Sequence, residues 1–264
     1  MSQLELASDA DISARHLSCL ETGRCRPDLQ MLLHLAMCLD VPLRDRNVLL
    51  RAAGFTPVFQ ERPFNEPILD QVRRSIETVL AAYDPYPALA VDRHWTMRAA
   101  NRAVAHLVAG ADLTLLRPPV NVLRLLLHPA GLASRIVNLA QWRAHVIARL
   151  RRQNEVSGDA VLMDLLEELR DYPVPRGVGL PDPETEAELL AIPFRLATID
   201  GVLSFFSTTT QFGTPVDIPV SELAIEAFLP ADSATAEIMR RVAQHAETRQ
   251  QPPVAVPGRS LLAS

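Results

Sequence analysis

The apolar residues at the start of the chain recur with helical spacing and are separated by short polar turns. The first helix that this pattern predicts carries Leu6 on its apolar side and stops near residues 9–11. Ser13 is a favoured N-cap residue, so we expect a second helix to begin there, with Leu17 on its apolar side and Gly23 at its end. Two short helices joined by a tight turn predict a helix-turn-helix.

Two further helices complete this segment. Residues 29–39 predict a strongly apolar helix that Asp28 caps. A last helix is expected over 43–53, with residues 48–50 buried and Gly54 at its C-terminal end. Residues 1–54 therefore predict an all-α domain.

The helical periodicity breaks at residues 55–66, where two prolines separate several aromatic residues. Prolines hold the backbone extended and prevent helix formation. We interpret this stretch as a semi-rigid linker and place a domain boundary here.

Helical and strand-like segments alternate after this linker. Longer helices are predicted over 68–83, 121–127, 133–153, 158–169 and 233–247, and a loop or short helix over 180–190. Strands are predicted over 88–92, 95–100, 191–198, 202–211 and 223–229. Asp200-Gly201 is a typical hairpin turn, and Asn101 is expected to cap a short helix that ends near residue 108.

The order of these segments predicts a fold. Two strands, several helices, three strands and a closing helix fit a five-stranded antiparallel sheet with helices, which is an α+β domain over residues 67–247. The element order is the one seen in PAS-type sensor domains. The tail over residues 248–264 contains adjacent prolines and no periodicity, so we expect it to be disordered.

Composition is that of an ordinary soluble protein. The chain has 264 residues, of which 48% are hydrophobic and 22% charged. It has neither an apolar run of about eighteen residues nor a secretory signal, so we expect a cytoplasmic protein with no membrane partner. The net charge of −5 argues against nucleic acid wrapping the whole chain, but Arg15, Arg24 and Arg26 cluster around the second helix.

The cysteines do not predict a metal site or a cross-link. Cys19, Cys25 and Cys38 match no zinc or disulfide spacing, and we expect them to be reduced thiols. His34 and Cys38 lie four apart on one predicted helix, but a single pair is less than a structural zinc site needs.

Enzyme motifs are absent from the sequence. It contains no G-x-S-x-G elbow, no phosphate-binding G-x-x-x-x-G-K-[ST] loop, no H-E-x-x-H pair and no G-x-G-x-x-G fingerprint. The pair Glu167-Glu168 lies on a polar helix face and is best explained as solvated. We therefore expect no catalytic residues, no metal and no enzyme activity.

The motifs Gln3-x-x-Leu6-Ala7 and Leu20-Glu21-x-Gly23 together resemble the lambda-repressor-like (Cro-type) regulators of bacteria. This resemblance implies that the Gln contacts a DNA phosphate and that the start and outer face of the second helix contact base edges. The DNA-binding residues implied in this way, with the cap and the nearby basic cluster included, are Gln3, Ser13, Ala14, Arg15, His16, Cys19 and Arg24. The alternative is an ordinary pair of antiparallel helices.

The same resemblance implies one more helix, before the first helix of this chain. That helix would cover Leu6, Leu17 and Leu35, and it would supply an Arg to pair with Glu21. We expect either a translation start upstream of Met1 or a degraded domain. Without that helix, these apolar side chains are expected to face water.

Several motifs of the α+β domain, in their order, are similar to those of the MmyB-like transcription regulators. They are Ala-Leu-x-Val-Asp-x-x-Trp-x-x-x-x-x-Asn at 88–101, the segment 121–129, Trp142 and the segment 212–215. The resemblance covers about residues 2–247. It implies a PAS-like ligand-binding domain with a hydrophobic pocket for a fatty-acid-like or other apolar small molecule, and no other cofactor.

Such a pocket is expected between the sheet and the helices, with apolar walls and a few polar anchors. The candidate residues are Trp95, Met97, Asn101, Leu123, Leu126, Leu127, Trp142, Val146, Phe194 and Phe205, with Arg124 and His128 as anchors for an acidic lipid. The alternative interpretation is that these residues are simple core, which side chains of these types form more often, and that Arg124 pairs with an acidic side chain on a neighbouring helix.

The sequence thus predicts a one-component bacterial transcription regulator. Its partners would be double-stranded DNA, a small apolar ligand and, in a homodimer, a second copy of the chain. The alternative is a PAS-like sensor or interaction protein that no longer binds DNA, because the first helix of the helix-turn-helix domain is missing.

Overall fold

The computed structural model describes residues 2–64, 66–173, 192–212 and 217–250. Its helices are α1 (Gln3–Asp9), α2 (Ala14–Glu21), α3 (Leu29–Cys38), α4 (Leu43–Ala52), α5 (Asp70–Ala82), α6 (Val104–Val108), α7 (Val122–Leu127), α8 (Leu139–Ser157), α9 (Ala160–Asp171), α10 (Ile218–Ser221) and α11 (Ser233–Gln250). Its strands are β1 (Ala88–Val91), β2 (Met97–Ala100), β3 (Phe194–Thr198), β4 (Gly201–Gln211) and β5 (Ala224–Pro230). Short 3-10 turns cover Pro67–Leu69 and Ala133–Arg135.

These elements belong to two compact units. The first contains Met1–Arg74 and Gln211–Leu223, and the second contains Ser75–Thr210 and Ala224–Ser264. The domain limits at residues 54, 66 and 247 stay predictions. The predicted segment 180–190, most of the tail and most of the motif at 212–215 lie outside the described residues.

Local capping bonds begin the helices of the first unit. Ser13 Oγ accepts a hydrogen bond from the backbone N–H of His16 at 3.1 Å, and Asp28 Oδ1 accepts one from Met31 at 2.8 Å. Gly23 follows α2 with a φ of +69°, a conformation that costs glycine little. The predicted starts of α2 and α3 and the glycine after α2 are therefore confirmed.

The apolar faces of the first helices cover one another. Leu6, Ala7 and Leu17 form a buried cluster, and Leu35 of α3 packs against it. The expectation that Leu6 and Leu17 would face water is therefore wrong. Both side chains are covered by each other and by Leu35, which the short polar turns bring into the same cluster.

Of residues 48–50, which were all predicted to be buried in α4, Leu50 is buried and the other two are not. The buried residues of α4 are Leu43, Asn47 and Leu50, whereas Val48 is 49% and Leu49 39% exposed. The buried positions are separated by four and three residues, which places them on one side of a helix. That side faces α3 and α10. Because α10 is distant in the sequence, the pattern of residues within α4 could not show which side would be buried.

The extended segment after α4 is held by polar contacts. Asn47 donates to the backbone oxygen of Phe59 at 2.8 Å, and its own oxygen accepts from Phe59 N at 3.2 Å. Gln60 forms a parallel bridge with Asp217, and the backbone N–H of Ile218 donates to Gln60 O at 2.9 Å. Arg44 of α4 binds both carboxylate oxygens of Glu222, at 2.6 and 3.1 Å. The stretch between β4 and β5 is thus part of the first unit.

The second unit is built on a five-stranded sheet in the order β2-β1-β5-β4-β3. β1 pairs antiparallel with β2 and with β5, and β3 pairs antiparallel with β4 through a turn at Asp200 and Gly201. All four residues of β1 are buried, as expected for a central strand. The predicted fold, an all-α segment followed by a PAS-like α+β domain, is confirmed.

Two predicted features of this unit are wrong in detail. The helix expected over 133–153 begins only at Leu139, because Ile136 forms a bridge with Leu196 and the N–H of Val137 donates to Arg195 O at 2.8 Å. These bonds hold the chain extended beside β3. The side chain of Asn101 does not cap α6, which has Ala103 at its N-cap.

The longest helices carry charged residues at intervals. α8 has 19 residues, among them Arg143, Arg149 and Glu155, and it ends at Gly158 with a φ of +61°. In the described part of the chain, none of the helices combines the length and the apolar character that crossing a membrane would require.

Candidate functional site

A small cavity lies in the second unit between the sheet and helices α7 and α8. Its volume is about 30 Å³. The residues around it are Trp95, Val122, Leu123, Leu126, Trp142, His145, Val146, Arg149, Ser207, Glu226 and Phe228. A space of this size holds one or two water molecules.

One face of α8 forms the wall opposite the sheet. Four residues of α8 project from the same side of the helix, because the last three follow the first by three, four and seven positions. They are Trp142, His145, Val146 and Arg149. This face changes from aromatic at Trp142 to cationic at Arg149 over two turns. The wall therefore combines an apolar surface with polar groups at defined places.

Trp142 anchors this wall in the core. Its ring lies 5.1 Å from the ring of Phe194 and 5.4 Å from that of His145, centroid to centroid. The residue is only 4% exposed, and its indole Nε1 has no hydrogen-bond partner. A buried donor without an acceptor costs about 1–3 kcal/mol, so this N–H is a marked feature of the cavity wall.

A buried ion pair lies at the other end of the cavity. Arg149 donates to the two carboxylate oxygens of Glu226, at 2.6 and 3.0 Å. The hydroxyls of Thr209 and Ser207 donate to the same carboxylate at 2.9 and 3.2 Å. Glu226 is 3% exposed, so its charge depends on these four bonds.

Trp95 completes the arrangement around Arg149. The guanidinium carbon lies 4.6 Å from the centre of the Trp95 ring, which is a cation–π distance. The indole N–H of Trp95 donates to Gln153 Oε1 at 2.9 Å. Trp95 has a φ of +64°, which is uncommon for a bulky residue, and the bonds of its side chain fix it in this position.

The structure places about half of the sequence-derived ligand candidates at this cavity. Those that line it are Trp95, Leu123, Leu126, Trp142 and Val146. Those that do not are Met97, Asn101, Arg124, Leu127, His128, Phe194 and Phe205. Whether the lining residues bind a ligand stays a prediction.

The polar candidates outside the cavity have structural partners. Asn101 accepts from the N–H of Ala88 at 3.0 Å and donates to the backbone oxygens of Tyr86 and Leu80, so it joins the end of α5 to the sheet. Arg124 binds Glu168 of α9 through Nε and Nη2, at 2.9 and 2.7 Å. The alternative interpretation of Arg124, a pair with a neighbouring helix, is the observed one.

Arg124, Glu168 and Tyr172 form a network at the surface, which gives Arg124 a partner other than a ligand carboxylate. Arg124 lowers the pKa of the Glu168 carboxyl through this hydrogen bond. Burial and the bond to Glu168 raise the pKa of Tyr172 above its usual range. His128 packs edge-on against Tyr172 with 5.1 Å between ring centres. His128 therefore belongs to this network.

The apolar candidates outside the cavity belong to the core. Phe194 and Phe205 are completely buried, and both pack against Phe228, with ring centres 5.6 and 6.3 Å away. Leu127 is buried in the same core, and Met97 on β2 is half-buried against it. Their residue types alone could not separate them from the lining residues, because core and cavity share one aromatic cluster.

Sequence reasoning missed six lining residues: Val122, His145, Arg149, Ser207, Glu226 and Phe228. The spacing of Trp142 and Val146 could have indicated His145 and Arg149, which share their helix face. Ser207 and Glu226 could not have been found in this way. They lie on strands, and only the fold brings them to Arg149.

The DNA-binding candidates lie around α2 of the first unit. Arg15, His16 and Arg24 are exposed, and Ala14 and Cys19 are half-buried. Ser13 caps the helix through its contact with His16. Gln3 does not project freely, because its side-chain amide donates to the carboxylate of Glu21. That contact gives Glu21 a partner within the described helices.

Two of the three cysteines are joined, contrary to the prediction of reduced thiols. Cys19 and Cys25 form a disulfide, with their Cα atoms 5.3 Å apart. The backbone N–H groups of Arg24 and Cys25 both donate to Cys19 O, at 2.9 and 3.1 Å. This turn after α2 returns the chain to Cys19, which the sequence spacing alone did not reveal. Cys38 is a free thiol.

The described residues contain no group of three or more His, Cys, Asp or Glu side chains arranged to hold a metal ion. The His34 and Cys38 pair has 4.0 Å between Nε2 and Sγ. His34 Nε2 also lies 3.1 Å from the backbone oxygen of Ala10, so it has a partner in the fold.

A larger, open cleft of about 680 Å³ lies elsewhere in the second unit. It is bordered by α6, α11 and the turn between β3 and β4. Its polar groups contact one another at the rim: Asp84 lies 3.1 Å from Arg102, and His106 lies 3.5 Å from Asp200. Asp84 Oδ1 and His106 Nε2 of this cleft are buried without a hydrogen-bond partner. The described residues that border it include none of the sequence-derived ligand candidates, so the cavity beside α8 is the stronger candidate.

Comparison with known proteins gives one clear match. The family model described as the MmyB-like transcription regulator ligand binding domain matches residues 72–242. No curated protein matches the chain. A solved structure titled "Structure of an RNA-binding Light-Oxygen-Voltage Receptor" aligns at 14% identity with a TM-score of 0.24, over 93% of this chain and 57% of that one. At that TM-score the likeness carries no argument.

Proposed function

The chain belongs to the family of the MmyB-like transcription regulator ligand binding domain, and from this premise we propose that it binds double-stranded DNA under the control of a small apolar ligand. It is a transcription regulator with a ligand-binding domain, and its family is not an enzyme family. The observation that carries the ligand part is the cavity between α8 and the sheet, which has apolar walls and one buried donor without a partner.

The surface of α2 supports DNA binding. Its N-terminus is fixed by Ser13, and Arg15 and His16 follow directly with exposed side chains. An Arg at the start of a recognition helix can contact a guanine through two hydrogen bonds. Arg24, just beyond the helix, adds a positive charge at a position suited to a phosphate.

The cavity supports an apolar ligand, provided that its walls move. A fatty-acid-like molecule needs a pocket of several hundred Å³, about ten times the present volume. Leu123, Leu126 and Val146 are aliphatic side chains that can change rotamer to make this room. Ligand binding would therefore favour an opened arrangement of α7 and α8.

A homodimer and a cytoplasmic location complete the proposal. Helix-turn-helix regulators commonly bind two half-sites that are related by the two-fold symmetry of a dimer. Light scattering of the purified chain would give the oligomeric state directly.

DNA binding is tested by selecting binding sites from a random pool of duplexes with the full chain. We expect one enriched sequence, for which Arg15→Ala costs roughly 1–3 kcal/mol of specific binding. Arg51→Ala is the matched control, since Arg51 is also exposed but lies on α4. If no sequence is enriched, the protein is a sensor or interaction protein that does not bind DNA.

Ligand binding is tested separately by native mass spectrometry and a thermal-shift screen over C10 to C18 acyl compounds. A ligand at about one hundred times its Kd adds roughly 2.7 kcal/mol of stability. We expect at least one compound to bind with a ratio of one per chain. If none binds and none shifts the unfolding temperature, the cavity is part of a solid core.

A further inference from the structure

The cavity has one polar group that the protein leaves unsatisfied. Among the described residues that line it, Trp142 Nε1 is the one buried side-chain polar atom without a hydrogen-bond partner. The ring packs against His145 and Phe194, with ring centres 5.4 and 5.1 Å away. The N–H therefore cannot readily turn to another acceptor, and a ligand in the cavity is the natural source of one.

The charged groups of the cavity are, in contrast, already occupied. The Glu226 carboxylate accepts from Arg149 and from the hydroxyls of Ser207 and Thr209. Arg149 Nη1 and Nη2 both donate to Glu226, and its planar face lies on Trp95. The two charges neutralise each other within the wall.

This pattern discriminates between ligand head groups. A free carboxylate would bring a second negative charge beside buried Glu226, and Arg149, the one guanidinium among the described lining residues, is committed to that residue. An ester or amide carbonyl would satisfy the indole N–H without adding a charge to the site.

We propose that the ligand carries an uncharged hydrogen-bond acceptor, such as an ester or amide carbonyl, which accepts from Trp142 Nε1. Its apolar chain lies among Leu123, Leu126 and Val146. The inference rests on the proposed function, because it assumes that the cavity takes a ligand. It replaces the free fatty acid with a neutral acyl derivative as the class of molecule recognised.

The test compares three probes that share one chain length: methyl decanoate, decanamide and decanoate, with the full chain at pH 8. We expect the ester and the amide to bind about five to ten times more tightly than the acid, as one additional satisfied hydrogen bond predicts. The measurement is the dissociation constant from native mass spectrometry or from the thermal shift. Tighter binding of decanoate than of both neutral probes would overturn the proposal.

The variant Trp142→Phe keeps an aromatic ring and removes the N–H. We expect its affinity for methyl decanoate to fall by about five to ten times. Trp95→Phe is the matched control, because it also removes an indole N–H from the cavity wall, but one that is bonded to Gln153. The preference for the neutral probes should survive in the control. Equal effects of the two variants would contradict the role of Trp142.

A second readout avoids any dependence on the folding of the variants. The chain has two tryptophans, so the unmodified protein gives two indole N–H signals in an NMR spectrum, and Trp95→Phe assigns them. The Trp142 signal should move downfield on addition of methyl decanoate. If the neutral probes bind and this signal stays in place, the head-group assignment is wrong but the proposed function stands. If none of the three probes binds, the head-group assignment fails, and the proposed ligand binding fails with it when the screen over C10 to C18 acyl compounds is also negative.

Discussion

The exposed surface around α2 and the buried cavity beside α8 differ in how the chain builds them. The α2 surface comes from one short stretch, in which Ser13 caps the helix and Arg15 and His16 follow it directly. The cavity is assembled from distant segments, and its ion pair joins Arg149 to Glu226, 77 residues along the chain. A site made from neighbours along the chain can be read from the sequence, but a site made by the fold cannot.

The two regions should also differ in what a substitution does. At the α2 surface, the side chains are free to meet a partner, so their loss should change binding more than stability. At the cavity, Glu226 is buried and bonded to Arg149, Ser207 and Thr209, so its loss should change stability first. The predictions below test this difference.

The largest effect is expected at Glu226. Glu226→Ala leaves Arg149 without its anionic partner and leaves the hydroxyls of Ser207 and Thr209 without their acceptor. Arg149 is 32% exposed and can be partly solvated, so we expect a loss near the lower end of the range for buried pairs, about 3 kcal/mol. Urea unfolding, followed by circular dichroism, measures it. A loss below about 1 kcal/mol would mean that the pair behaves like a surface pair.

The disulfide should make the next largest contribution, in the first unit. Cys25→Ser opens a loop that spans residues 19–25, and closing a loop of this length is worth about 2 kcal/mol in the chain-entropy account. We expect the first unit to unfold at a lower urea concentration. Cys38→Ser is the control, because Cys38 is a free thiol. Similar midpoints for the two variants would show that the cross-link does not form in solution.

The same two regions show how far sequence reasoning reached. It found Ser13, Gly23 and Asp28, because caps depend on a residue and its next few neighbours. It placed Leu50 of α4 correctly but not Val48 and Leu49, because the buried face of α4 is defined partly by α10, more than 160 residues later along the chain. Asn101 was expected to cap the helix that follows it, but its side chain bonds to Leu80 of α5, to Tyr86 and to Ala88 of β1.

The candidate site was predictable to a similar degree. The pocket expected between the sheet and the helices included Trp142 and Val146 among its candidate residues, and both line the cavity. The same expectation also included Phe205, which is completely buried in the adjoining core. The residues next to Glu226 in the sequence gave no sign that it lines the cavity. An acidic residue on the central strand β5 is identified as part of this site only when the fold shows its contact with Arg149.

A smaller effect is expected from the cap of α2. Ser13→Ala removes the bond from the His16 N–H and should cost about 1 kcal/mol of stability. It should also weaken DNA binding, since the start of α2 carries Arg15. Ser8→Ala, on the exposed side of α1, is the control and should change stability by less than about 0.5 kcal/mol. Hydrogen exchange of the α2 amides would locate the loss, and unchanged exchange there would contradict the role of the cap.

The smallest effect is expected at the surface pair of Arg124 and Glu168. Both side chains are partly exposed, so Glu168→Gln should cost less than about 1 kcal/mol. Arg124 lowers the pKa of Glu168 in the folded chain. The contribution of the pair is therefore present above the unfolded pKa of this carboxyl, and it is lost as the pH falls through the lowered folded value. A stability difference between Glu168→Gln and the parent that persists at low pH would contradict this explanation.

The most direct test links the two regions. The affinity of the full chain for its selected DNA site would be measured with and without a saturating neutral acyl ligand, and the affinity for that ligand with and without DNA. If the ligand controls DNA binding, the two ratios must be equal, and an effect of about 5- to 150-fold is typical of such coupling. We predict a ratio in that range. A DNA affinity that does not change when the ligand is bound would show that the cavity does not regulate the helix-turn-helix.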